Sequence, residues 1–121
     1  RSLNIEGGWE AFPVSSPPPA VSVNFGLCVT EILGRNVWLY SSAGSPLASE
    51  RPLTGSKSRR EGWLWASYDG SATWKPILRL TEPDKFFGYS CITSSINSVY
   101  ILYETDDYRK MALQIIPKDA F

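Results

Sequence analysis

A phenol and a carboxylate, Tyr89 and Glu104, fall at the same end of one hairpin legible in the sequence. Gly88-Tyr89-Ser90-Cys91-Ile92-Thr93 and Ser98-Val99-Tyr100-Ile101-Leu102-Tyr103-Glu104 are strand-like runs, and Ser95-Ile96-Asn97 between them suits a turn. A turn centred near Ile96 makes paired positions sum to about 192, which sets Tyr89 opposite Tyr103 with Glu104 beside that pair. A tyrosine packed on a sheet edge and a solvated glutamate account for the same pattern. Two guanidinium groups, Arg59 and Arg60, stand in the charged run Lys57-Ser58-Arg59-Arg60-Glu61. Histidine is absent, which removes Ser–His and Cys–His nucleophile pairs, His-ligated zinc and histidine general bases. Chemistry therefore falls to carboxylates, Tyr, Lys, Arg or Cys.

The elements that must position these groups are strands. Val21–Leu33, Val37–Ser41, Trp63–Tyr68, Ile77–Leu80, Tyr89–Thr93, Val99–Glu104 and Met111–Ile116 are short runs rich in Val, Ile, Tyr and Trp, separated by turn residues. Most alternate too imperfectly for a sheet with one wet face. No window carries a sustained helical period with caps, so the chain is predicted to be all-β. Residues 1–20 are Gly- and Pro-rich, ending Ser16-Pro17-Pro18-Pro19-Ala20, and read as an extended connection, since such a run cannot be a central strand. Between Ser41 and Gly62 lies a long interval rich in Ser, Gly, Pro and charge. Loops of that length are functional or simply solvated.

Composition bounds the function classes. Hydrophobic residues make up 43% and charged residues 20% of the 121-residue chain, and 12 basic side chains balance 12 acidic ones. That balance argues against a chain held to nucleic acid by bulk charge. No apolar run approaches the roughly 20 residues of a membrane span. The start, Arg1-Ser2-Leu3-Asn4, has neither Met nor a signal-peptide core, and suggests a processed chain or a fragment. Cys28 and Cys91 are too few to build a structural zinc site, and both lie in β-like runs. Buried free thiols are expected, with a disulfide left open because sequence fixes no distance between them. Residue pattern leaves the compartment undecided, and no Asn-x-Ser/Thr sequon occurs.

Ser67-Tyr68-Asp69-Gly70-Ser71-Ala72-Thr73-Trp74 resembles the Asp-box of sialidases and related β-propellers, S-x-D-x-G-x-T-W. Its physical logic is a hairpin turn whose Asp side chain bonds turn amides while the Trp ring packs beneath. Ser67, Asp69, Thr73 and Trp74 match, and Ser71 replaces the expected glycine at a positive-φ position. Flanking segments follow the same order. Val37-Trp38-Leu39-Tyr40-Ser41-Ser42-Ala43-Gly44 resembles the family strand that ends in a Ser-Asn-Pro-like turn. Arg59 and Arg60 stand eight and seven residues before Ser67, where the family carries an arginine of the triad that binds the sialic acid carboxylate. Gly88-Tyr89-Ser90 is similar to the segment bearing the nucleophilic Tyr, and Leu102-Tyr103-Glu104 to the Leu-Tyr-Glu whose Glu orients another triad arginine.

The resemblance covers residues 37–116 and implies the C-terminal part of a sialidase (neuraminidase), a glycoside hydrolase with a six-bladed propeller. Residues 21–121 would then be C-terminal blades with one Asp-box (67–74). Tyr89 and Glu104 take the catalytic roles, and either Arg59 or Arg60 binds substrate. The spacing slightly favours Arg59, the other arginine pointing to solvent. A guanidinium fork grips a carboxylate in two places, and a neutral phenol avoids the like-charge approach that a carboxylate nucleophile would make toward a sugar acid. A phenol's ordinary pKa of about 10 calls for a neighbouring base. By resemblance, Glu104 suits holding an arginine better than deprotonating Tyr89. No metal or other cofactor is implied, and a secreted or lysosomal-type compartment is.

At about 40–50 residues per blade, the chain accounts for two to three of six. The Arg-Ile-Pro-type motif, the acid/base Asp, the Glu partner of the nucleophile and the middle triad arginine have no counterpart here. A second, non-covalently associated chain is therefore expected to supply the remaining blades, since an open two-blade piece would leave sheet edges unpaired. The product would be an exo-sialidase or trans-sialidase acting on sialylated glycans. Two other readings stand beside it: a catalytically inactive sialidase-like propeller serving as a glycan-binding or structural module, and a self-contained β-sandwich whose Asp-box-like turn is coincidental.

Overall fold

The computed structural model describes residues 14, 17–19, 23–46 and 58–121. Most of the Pro/Gly-rich stretch 1–20 and the middle of the interval between Ser41 and Gly62 lie outside these residues. Among the described residues the chain is all-β. Its strands are β1 (Gly26–Ile32), β2 (Arg35–Ala43), β3 (Gly62–Ser67), β4 (Lys75–Arg79), β5 (Ser90–Ser94), β6 (Ser98–Thr105) and β7 (Lys110–Pro117), followed by a 3-10 turn at Lys118–Ala120. They form two antiparallel meanders, β1-β2-β3-β4 and β5-β6-β7. Among the described residues no helix is long and apolar enough to cross a membrane.

Local chemistry explains the tight turns. Leu33 and Gly34, with φ of 51° and 75°, join β1 to β2 while Ile32 pairs with Arg35. Positive φ at both tip residues is what a two-residue hairpin loop needs to match strand twist. Gly34 adopts it freely and Leu33 does not. At the β5–β6 tip, Ser95 and Ser98 close the loop through Ser95 N–H donating to the Ser98 carbonyl at 2.9 Å. Only Ile96 and Asn97 remain at the tip. The register is therefore one residue away from the sequence expectation: Ser90 pairs with Tyr103 and Cys91 with Leu102. Because side chains alternate faces, this single step decides what shares a surface.

The core lies between the sheets. Val37, Leu39, Leu64 and Ala66 of the first meet Val99, Ile101 and Ile116 of the second, with Phe87 from the β4–β5 connection. Tyr103 is buried here and stacks on Phe87 with ring centroids 4.7 Å apart; burial pushes its phenol pKa up. Gly26 lets the sheets approach closely, since a Cβ there would lie 2.8 Å from Ile92 Cγ1 of the second sheet and 2.5 Å from Ser41 Oγ. Hydroxyls tie the same side together. Ser41 and Ser90 share a 2.8 Å bond, Ser90 Oγ donates to the Ser41 carbonyl at 3.1 Å, and Ser94 Oγ donates to Thr30 Oγ1 at 2.8 Å. Paired this way, buried hydroxyls avoid the cost of lost hydration and fix one sheet against the other.

The pleat of the second sheet turns Val99, Ile101 and Tyr103 inward and Leu102, Met111, Leu113 and Ile115 outward and exposed, so its outer face is apolar and its strands do not alternate apolar with polar residues. One expectation needs correction. Both cysteines are free thiols, but neither is buried: Cys28 is half-buried and Cys91 exposed. Cys91 lies in β5 at the outward phase opposite Leu102, where the pleat keeps it out of the core.

Candidate functional site

The shifted hairpin register brings the phenol and the carboxylate together. Continuing the pairing past Ser90 and Tyr103 puts Tyr89 opposite Glu104, and the backbone confirms it. Glu104 N–H donates to the Tyr89 carbonyl at 3.0 Å and Gly88 N–H to the Glu104 carbonyl at 2.9 Å. Tyr89, Cys91, Leu102 and Glu104 therefore share the outward face, and Tyr103, the expected neighbour of Tyr89, belongs to the core. Tyr89 is 44% exposed against 7% for Tyr103, so only Tyr89 is reachable by a ligand. Gly88 packs against the carboxylate: a Cβ there would lie 3.0 Å from Glu104 Oε2 and 2.9 Å from Phe86 Cε1.

Arg59 reaches this surface from the end of the long interval. Its backbone is strapped in place where Phe87 N–H donates to the Arg59 carbonyl at 2.9 Å, and Gly44 N–H to the carbonyls of Arg60 and Glu61, each at 3.1 Å. Arg60 also bridges to Phe86. Strand-like backbone sends the two arginines to different surroundings. The Arg59 guanidinium carbon lies 5.3 Å from the Tyr89 ring centroid and 5.8 Å from that of Tyr108, and Arg59 Nη1 donates to the Tyr108 hydroxyl. Arg60 instead lies 6.0 Å over the Phe86 ring and pairs with Asp107 at 3.8 Å, a contact about half in solvent. Each cation–π contact at such exposure contributes about 0.5–1 kcal/mol.

A groove of about 510 Å³ opens beside Tyr89, lined by Val23, Asn24, Phe25, Ser90, Cys91, Leu102, Glu104 and Met111. The groove is open and its walls are mainly apolar, with Asn24, Ser90 and Glu104 among its polar groups. A second hollow, of about 610 Å³, lies on the other side of Arg60, where Arg79, Lys85 and Lys110 alternate with Glu82, Asp84, Asp106 and Asp107. Among the described residues no three His, Cys, Asp or Glu side chains gather as metal ligands would.

Ser67, Asp69, Thr73 and Trp74 stand apart from this surface, in the turn joining β3 to β4. Asp69 accepts from the Thr73 amide at 2.9 Å, from Thr73 Oγ1 at 2.5 Å and from Ser67 Oγ at 2.8 Å. Ser67 Oγ in turn accepts from the Ser71 amide at 2.9 Å. The hydrogen bonds from Thr73, helped by Ser67, hold the Asp69 carboxyl down to about 2. Trp74 is buried under the turn and meets Tyr40 edge-on at 5.9 Å. Gly70 and Ser71 both have positive φ, 69° and 73°. These four residues shape a corner and do not line the groove beside Tyr89.

Tyr108 and Phe86 are the site residues that sequence reasoning missed. Phe86 supports Tyr108, their rings meeting edge-on at 4.5 Å. Asp106-Asp107-Tyr108 reads as an ordinary polar turn, and only the fold shows Tyr108 turned back onto Arg59. No family model, no curated protein and no solved structure matches the chain.

Proposed function

We propose that this chain is the C-terminal part of a retaining exo-sialidase or trans-sialidase, built as about two blades of a six-bladed β-propeller that a second chain completes. The observation that carries the reading is that exposed Tyr89 has the Arg59 guanidinium 5.3 Å from its ring and Glu104 across from it in the hairpin. These are the residue types a sialoside requires: a guanidinium for the sugar's carboxylate, a phenol for its anomeric carbon and a carboxylate to hold a neighbouring cation. Arg59, rather than Arg60, is the carboxylate ligand, since Arg60 is directed to Asp107.

In this reading the Tyr89 hydroxyl attacks the anomeric carbon as the glycosidic C–O bond breaks. The phenol proton passes to a carboxylate base, and the departing alcohol takes a proton from a carboxylic acid, both on the second chain. Water or an acceptor alcohol then displaces Tyr89 from the aryl glycoside, so configuration is retained. Arg59 holds the substrate carboxylate throughout. Glu104 stands across from Tyr89, close beside Gly88, and anchors an arginine of the partner.

The architecture supports the same reading. Each sheet is a sequential meander, and neither exchanges a strand with the other, as radial blades require and Greek-key sandwiches do not. Leu102, Met111, Leu113 and Ile115 leave an apolar outer face on the second sheet, and Leu27 and Val29 are exposed on the first. Faces of that kind mark surfaces that another layer covers.

The test is release of fluorophore from a fluorogenic sialoside by the protein purified with all its associated chains. Turnover that disappears in Tyr89→Phe is the expected result. Turnover unaffected by that change sinks the assignment of the nucleophile. Absence of turnover in the wild-type assembly replaces the enzyme with a glycan-binding or structural module.

A further inference from the structure

Arg59 does not hold its place by its own rotamer preferences, because a long side chain on a surface segment has many. We propose that Tyr108 is a positioning residue for Arg59: it fixes the guanidinium over Tyr89 and so sets the affinity for the substrate's carboxylate. The inference rests on the sialidase reading for its ligand and on the geometry for its mechanism.

Three observations carry it. First, Tyr108 engages Arg59 twice, by accepting from Nη1 and by presenting its ring 5.8 Å from the guanidinium carbon. Second, Tyr108 is itself held: its ring packs on Phe86 at 4.5 Å, and Thr105 Oγ1 donates to the Phe86 carbonyl at 3.2 Å. Third, the β6–β7 turn adopts a conformation that brings Tyr108 back toward β5. Asp106, Asp107 and Tyr108 have φ of 51°, 50° and 70°, a run of left-handed backbone with no glycine in it. Such backbone persists only where surrounding contacts fix it. Here they include the Arg60–Asp107 and Lys110–Asp106 pairs at 3.8 and 3.9 Å and the Arg109 amide donating to the Asp106 carbonyl at 3.0 Å.

A Tyr108 that merely packed would not need its hydroxyl. Tyr108→Phe keeps the ring on Phe86 and removes only the hydroxyl that accepts from Arg59 Nη1. In the purified assembly, this variant is expected to raise KM for the fluorogenic sialoside about tenfold, the size of one charge-assisted hydrogen bond, with kcat within about twofold. A second readout does not depend on turnover. Modification of Arg59 by phenylglyoxal, followed by peptide mass spectrometry with Arg109 as internal reference, is expected to run several-fold faster in Tyr108→Phe. Unchanged Arg59 reactivity overturns the proposal whether or not the assembly is an enzyme. Faster modification in an assembly without sialidase turnover upholds the positioning role and rejects the sialidase reading. Normal wild-type turnover with KM unaltered in the variant overturns the proposal and leaves that reading standing.

Discussion

The guanidinium carbon of Arg59 lies 5.3 Å from the centre of the Tyr89 ring, while Arg60, next in the chain, is directed to Asp107. The two arginines are therefore not interchangeable. Arg59→Lys keeps the charge but loses the planar fork, and KM for a sialoside is expected to rise roughly 10- to 100-fold. Arg60→Ala is expected to leave KM within about threefold, since its ion pair is half in solvent. Steady-state kinetics on the two variants side by side checks this, and equal effects would refute it.

Gly88 and Gly62 are both crowded, with different consequences. A Cβ at Gly62 would lie 2.0 Å from the Phe87 ring, so Gly62→Ala overpacks the core and is expected to cost about 1–3 kcal/mol of stability. A Cβ at Gly88 would lie 2.9 Å from Phe86 Cε1 and 3.0 Å from both the Cβ and a carboxylate oxygen of Glu104, a milder overlap than at Gly62. Gly88→Ala is therefore expected to lower kcat/KM while shifting the thermal midpoint less than Gly62→Ala does. Calorimetry and kinetics on both variants separate the two effects.

The Asp69 carboxyl has a folded-state pKa of about 2, below its ordinary value of 3.8. A depressed pKa contributes stability that is complete above the unfolded value and lost as pH falls through the folded one. The relevant window runs from about pH 4 down to about pH 2. In Asp69→Asn, which cannot titrate, the fall in unfolding midpoint across that window is expected to be shallower than in the parent. Parallel slopes would show that Asp69 contributes nothing to acid lability.

Ser71 occupies left-handed backbone at φ 73°, where an L side chain costs on the order of 1 kcal/mol. Ser71→Gly removes that cost at a half-buried position, and is expected to raise stability by about 0.5–1 kcal/mol in denaturant melts. The Ser67 bond uses the Ser71 amide, so glycine keeps it. A destabilised variant would mean that the hydroxymethyl group of Ser71 has a role of its own.

Runs of Val, Ile, Tyr and Trp between turn residues sufficed to find the seven strands of the described residues, because β-branched and aromatic side chains fit a pleated, half-buried surface. They did not give the β5–β6 register. Ser95-Ile96-Asn97 is compatible with a two- or a three-residue tip, and a hydrogen bond between Ser95 and Ser98 decides it. That choice put Glu104, not Tyr103, across from Tyr89. Nor could Tyr108 be read as a site residue. Left-handed backbone is signalled most strongly by Gly or Asn, and Asp106-Asp107-Tyr108 adopts it with local contacts from Arg109 and Lys110 and distant ones from Arg59, Arg60 and Phe86. Spacing favoured Arg59 over Arg60 only slightly, and only the fold shows that Arg59 lies over Tyr89 while Arg60 lies over Phe86.

Leu102, Met111, Leu113 and Ile115 lie together in water on the outer face of the second sheet. This makes concentration a hidden variable in every measurement on the chain. Anything that covers this face binds the folded form alone and raises the unfolding midpoint by mass action. Melts at two protein concentrations will diverge where that face finds a cover and coincide where it does not. Stabilities measured on the chain by itself and in company are thus two different quantities.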